Sequence, residues 1–199
     1  MSSVGINKHN VGRIAERIVS NELEYRGFRV SDLNKEGTSA NADLLAAKDG
    51  KTWQIQVKGA TEDNGWWVGY GFCNEAVIAK KERVFNKRSN FYEAQIVVLV
   101  SVKSPTEYRC VVLPWKKAEE AAQLNLDYAY RIPNRDGSPK KPGKVWVSLG
   151  WVPNPRDSSR LPLLEAEQEL LKPFTDRQQL PEESDGVWDL EALLKCAEG

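Results

Sequence analysis

The chain has 199 residues, 41% of them hydrophobic, and its 28 basic and 28 acidic residues give a formal net charge of zero. That is enough chain for one domain of ordinary size, or one domain with a short appendage, and enough apolar material for a buried core. It argues against a membrane-spanning protein, because no stretch approaches the length of a span. It also argues against a disulfide scaffold or zinc knuckle, because Cys73, Cys110 and Cys196 are odd in number and share no short spacing.

The opening residues, Met1-Ser2-Ser3-Val4-Gly5, lack the basic and apolar regions of a signal peptide, so a reduced, cytoplasmic protein is expected. From about Asn10 to Arg26, Val11, Ile14, Ala15, Ile18 and Val19 recur at helical spacing, and Gly27 follows as a C-terminal cap. Glu22 interrupts that stripe, and the helical pattern does not explain it. Phe28-Arg29-Val30 reads as a short strand. A polar loop from Asn34 to Asn41 precedes Ala42-Asp43-Leu44-Leu45-Ala46, and Asp49-Gly50 is a hairpin signal. Trp53-Gln54-Ile55-Gln56-Val57 alternates with period two and is predicted to pair across that turn, ending at Lys58-Gly59.

Further strands are predicted at Trp66 to Phe72, Tyr108 to Leu113 and Val145 to Val152. Ala94 to Val102 is almost continuously apolar, as a central buried strand should be. Helices are predicted over Glu75–Lys87, Trp115–Leu124, Leu161–Leu171 and Val187–Cys196, and the Pro- and Gly-rich stretch from Arg131 to Lys144 is a loop. Helices mixed with hairpin-connected strands indicate an α/β or α+β arrangement. A composition shift after Pro155 divides the chain into a body, residues 1–160, and an acidic helical C-terminal appendage, residues 161–199.

Charge is segregated along the chain. Lys80, Lys81, Arg83, Lys87, Arg88, Lys103, Arg109, Lys116 and Lys117 are opposed locally only by Glu82, Glu93 and Glu107. From Leu161 onward the sign reverses. A basic body with an acidic tail differs from an evenly neutral protein, and the run Lys80, Lys81, Arg83, Lys87 and Arg88 is the candidate phosphate-binding segment. As a bland alternative, that run is simply a solvated helix face.

The chemistry-bearing residues lie in the hairpin. Residues two apart on a strand share a face, so Gln56 and Lys58 point the same way, and the Asp49-Gly50 turn can bring Asp43 beside them. A carboxylate, an amide oxygen and an ammonium on one patch suit phosphodiester hydrolysis. The carboxylate holds a divalent cation, and the lysine orients water or offsets charge growing on phosphorus. Oxygen donors point to Mg²⁺, with Mn²⁺ as substitute. The single histidine, His9, gives Ser/His or Cys/His catalysis little support.

Over roughly the first sixty residues the chain resembles the PD-(D/E)XK nucleases. Gly12-Arg13-Ile14-Ala15-Glu16, Leu23 and Gly27-Phe28-Arg29-Val30 resemble that family's first helix and its exit. Ala42-Asp43-Leu44 stands where its aspartate falls, and Gln56-Val57-Lys58 where its (D/E)-X-K triplet falls. The resemblance implies a restriction-endonuclease-like central mixed β-sheet flanked by helices. It implies metal binding by Glu16, Asp43 and the Val57 carbonyl, and catalysis by Glu16, Asp43, Gln56 and Lys58. DNA is the implied partner, in restriction, repair or mobile-element defence, and a homodimer is expected because two strands must be cut. Ala42 departs from the family's proline. Gln56 departs from its acidic residue and should lower cation affinity, although a Q-X-K triplet is similar to that of Mrr-type restriction endonucleases. The order helix, aspartate, triplet is similar to archaeal Holliday-junction resolvases.

Each residue alone has an ordinary explanation. A glutamate on an amphipathic helix is usually solvated, a lone aspartate usually marks a turn, and Gln56 and Lys58 could lie on the wet face of an amphipathic strand. Their joint order favours the nuclease reading. Its rivals are a non-catalytic DNA-binding module on the same fold and a structural protein using its tail and tryptophans as an interface.

Overall fold

In the computed structural model, the described residues are 8–33, 42–61, 65–69, 94–104, 106–131, 136–137, 144–147, 161–175 and 188–196. Helix α1 (Lys8–Tyr25) leads into strand β1 (Arg29–Asp32), and a hairpin of β2 (Leu44–Lys48) and β3 (Lys51–Thr61) follows. Next come β4 (Trp66–Gly69), β5 (Ile96–Ser104), β6 (Glu107–Pro114), helix α2 (Trp115–Arg131) and β7 (Lys144–Val147). Helices α3 (Leu161–Thr175) and α4 (Leu190–Cys196) complete the chain order. Five strands form a mixed sheet in the order β1-β2-β3-β5-β6, with only the β3–β5 pair parallel. The α/β expectation of a mixed sheet flanked by helices, with helices at the C-terminal end, matches this architecture.

Local chemistry explains the elements around the site. The end of α1 is a Schellman cap. Gly27 at φ 80° donates its N–H to the Glu24 carbonyl at 3.0 Å, and Phe28 donates to the Leu23 carbonyl at 3.1 Å. Gly is the residue that takes this backbone without a Cβ penalty. Leu23 and Phe28 are both buried in the core, the apolar contact that accompanies such caps. The β2–β3 hairpin turns through Asp49 (φ 50°) and Gly50 (φ 74°), with Lys48 paired to Lys51. Two consecutive positive φ values match the twist of paired strands.

The core is one cluster. Val11, Ala15, Ile18, Val19 and Leu23 of α1 pack on Leu44, Ala46, Ile55 and Val57. Each buried Val, Leu or Ile side chain among them contributes roughly 1.5–3 kcal/mol, and the alanines less. In β5, Ile96, Val97, Val98 and Val100 are fully buried, so the sheet is covered on both faces there. Leu171 and Phe174 of α3, and Leu190 and Leu193 of α4 with the adjacent Trp188, belong to the same cluster.

Several boundaries differ from expectation. Helix α2 runs on past Leu124 to Arg131. Its Asn125 is buried because its amide donates to the Ala121 carbonyl at 2.9 Å and to the Glu167 carboxylate at 2.6 Å. The late strand is described over Lys144–Val147, residues 148–152 lying outside the described residues, and it pairs with β4 in a separate two-stranded sheet. Trp66 is core, 1% exposed, with its indole N–H donating to the Val100 carbonyl at 3.2 Å. The predicted helix Glu75–Lys87 and most of the Arg131–Lys144 loop lie outside the described residues. No helix among the described residues is long and apolar enough to cross a membrane.

Candidate active site

Strand β3 changes partners along its length. Lys51 to Ile55 pair with β2, whereas Ile55 to Thr61 pair with β5. After the Asp43 N–H donates to the Ile55 carbonyl at 2.9 Å, no β2 residue continues the ladder, and the β2-facing edge of β3 opens. Asp43, immediately before β2, sits at this opening. Its carboxylate crosses to β3, where one oxygen accepts both the Val57 backbone N–H, at 2.7 Å, and the Gln56 side-chain amide.

Alternation fixes the rest. Because the Val57 N–H faces this edge, its carbonyl faces it too. Gln56 and Lys58 share one face of β3; Ile55, Val57 and Gly59 share the other. Gly59 marks the face that carries α1, since a Cβ there would lie 2.8 Å from both the Ala15 Cβ and the Val11 carbonyl oxygen. Glycine is thus what allows the helix backbone to lie on the strand. That close approach sets Glu16, the next residue along α1, near the end of the hairpin. Glu16 comes from the helix side of the sheet and Lys58 lies on the opposite face of β3, near enough for its charge to act on the Glu16 carboxyl.

Electrostatics agree with this placement. The Glu16 carboxyl has its pKa raised from 4.5, first by partial burial, then by the negative charges of Asp43 and Asp32; Lys58 and Arg13 pull it down. Gln56 is 4% exposed, an unusual position for a polar side chain unless it is hydrogen-bonded. The structure thus brings Asp43, Gln56 and Val57 into contact, with Glu16 and Lys58 inside the same charge neighbourhood. Lys80, Lys81, Arg83, Lys87 and Arg88 lie outside the described residues. Among the described residues, no three His, Cys, Asp or Glu side chains gather closely enough to enclose an ion.

Two features escaped the sequence reading. Asp32 closes β1 opposite Leu44 and adds a carboxylate to the field at Glu16. Extending the Phe28–Val30 alternation by two residues would have placed it on the face of Val30. Glu22 has one distant and one local partner: the Tyr108 hydroxyl donates to it at 2.5 Å, and Arg26, one turn along α1, pairs with it at 2.5 Å. Burial, then the bond to Glu22, pushes the Tyr108 hydroxyl up to about 12, and burial pushes the neighbouring Cys110 thiol up to about 12. With its pKa raised by burial, the Cys110 thiol is protonated at neutral pH.

No family model matches the chain, and no curated protein matches it. Among solved structures, a bacterial homing endonuclease, I-Ssp6803I, aligns over 86% of this chain and 98% of its own, at 12% identity and a TM-score of 0.40. A likeness at that level carries no argument about chemistry, which rests on the geometry of Asp43, Gln56, Val57, Glu16 and Lys58.

Proposed function

We propose that the chain is a divalent-metal-dependent endonuclease of the PD-(D/E)XK type that hydrolyses phosphodiester bonds in DNA. One observation carries the reading. The Asp43 carboxylate and the Val57 backbone meet at the opened edge of β3, with Glu16 and Lys58 close enough for their charges to interact. The donor set fits Mg²⁺ or Mn²⁺. It is made of oxygens, and Mg²⁺ commonly uses one or two carboxylates and keeps several waters, so a cage of three acidic side chains is not required. The pKa of Glu16 is raised first by partial burial and then by the charges of Asp43 and Asp32, and a bound cation would relieve the like-charge part of that shift.

In this reading Glu16, Asp43 and the Val57 carbonyl hold the ion, which supplies a charge for a phosphate oxygen and a more acidic water. Lys58 places its ammonium beside the scissile phosphate, orienting the attacking water and offsetting negative charge as the bond breaks. Asp43 is itself held by the Val57 N–H, so its carboxylate is fixed before substrate arrives. The basic run from Lys80 to Arg88 would track the DNA backbone, and a homodimer would serve to cut both strands.

One observation also suits a rival. Gln56 hydrogen-bonds Asp43, as a non-catalytic DNA-binding module without a metal would require. Incubating supercoiled plasmid with the protein and Mg²⁺ or Mn²⁺ separates the two. Nicking or linearisation by the parent, reduced at least about 100-fold in Asp43→Ala and Lys58→Ala, is expected. Cleavage that survives both substitutions rejects this active site, and binding without cleavage under either metal favours the rival.

A further inference from the structure

The triplet residue Gln56 does more than stand in for an acid. Its side chain is buried, and its amide lies at hydrogen-bonding distance from the Asp43 carboxylate. An ionised carboxylate offers only acceptors, so the atom of Gln56 that faces it must be the NH₂ group. The same Asp43 oxygen accepts the Val57 N–H at 2.7 Å. Two protein donors therefore converge on one anionic oxygen, where a divalent cation would otherwise supply the positive charge.

We propose that Gln56 makes this site complete without a metal, its amide N–H occupying against Asp43 the bridging role of a cation, so that an ion must displace this hydrogen bond to enter. The inference rests on the metal-dependent reading above and deepens it. To admit an ion, the Gln56 amide would have to give up its hydrogen bond to Asp43 and could turn its carbonyl oxygen there instead, while the Val57 N–H would go on holding the carboxylate. A glutamate at position 56 could not do this. It would set a second carboxylate against Asp43, with Glu16 and Asp32 already adding negative charge, and would hold together only with a cation bound. The glutamine therefore exchanges cation affinity for a fold that stands without the ion.

The test compares the full-length parent with Gln56→Glu and Gln56→Leu, by thermal melting in EDTA and by calorimetric titration with Mn²⁺. Gln56→Glu is expected to melt below the parent in EDTA, to bind Mn²⁺ roughly tenfold or more tightly, and to recover its stability at saturating Mn²⁺. Gln56→Leu removes the donor without adding charge. It should also melt low in EDTA but gain no Mn²⁺ affinity, which keeps the comparison informative if Gln56→Glu folds only with metal. Equal melting of all three chains in EDTA overturns the role of the hydrogen bond. Equal Mn²⁺ affinity of parent and Gln56→Glu overturns the exchange alone. If neither chain binds Mn²⁺, the metal-dependent reading falls and the exchange with it, a result distinguishable because Gln56→Leu would still melt low in EDTA.

Discussion

Glu16 sits half out of solvent beside two like charges, and its carboxyl holds its proton more tightly than an exposed glutamate does. With the folded-state pKa above 4.5, the native chain keeps this proton at pH values where the unfolded chain has lost it. The stability linked to Glu16 is therefore full below about pH 4.5 and is lost as pH rises through the raised value. In metal-free protein at pH 8, Glu16→Gln should thus be more stable than the parent, by up to about 1 kcal/mol after allowance for solvent screening. Urea denaturation at pH 8 and pH 4 checks this: the gain should shrink at the lower pH, and a variant less stable than the parent at pH 8 contradicts it. At this scale the sequence was informative about residue types and spacing, since Asp43, Gln56, Val57 and Lys58 fall in one short hairpin. It was silent about Asp32 and about the pairing of Glu22 with Tyr108, because period and spacing report a face and not the neighbour that packs there.

Among the elements, the contact of α1 with β3 decides where Glu16 lies. Gly59 permits backbone-to-backbone approach at Val11 and Ala15, so a methyl group there must push the helix away. Gly59→Ala should cost roughly 1–3 kcal/mol of stability, as overpacking does. It should also reduce cleavage by more than that loss of folded protein explains, because the helix carries Glu16. Activity per folded molecule equal to that of the parent would detach the helix position from the chemistry. Helix α1, the β2–β3 hairpin and strand β5 were legible because each carries its own period and its own turn or cap. The pairing of β4 with β7 was not. The two runs are far apart in the chain, and nothing in either names the other. Helix α2 was read short for the same reason: Asn125 looks like a helix end until Glu167, on another helix, accepts its amide proton.

At the scale of the molecule, the sheet and the C-terminal helices share one core. Within the acidic stretch from Leu161, Leu171, Phe174, Trp188, Leu190 and Leu193 are buried, and Glu167 is fully enclosed. Apart from Glu167, which accepts a hydrogen bond from Asn125, the acidic residues of α3 face outward, with Glu165 and Glu169 exposed, while Leu163, Leu171 and Phe174 turn inward at helical spacing. The proposed metal site would lie at the opened edge of β3, with the α1 carboxylate coming from one face of the sheet and the β3 lysine from the other. Crystals soaked in Mn²⁺ and measured for anomalous scattering test this arrangement most directly. The account predicts a peak between the carboxylates of Glu16 and Asp43, within reach of the Val57 carbonyl and absent in Asp43→Ala. A peak elsewhere, or none at this edge under conditions where the protein cleaves DNA, would contradict it.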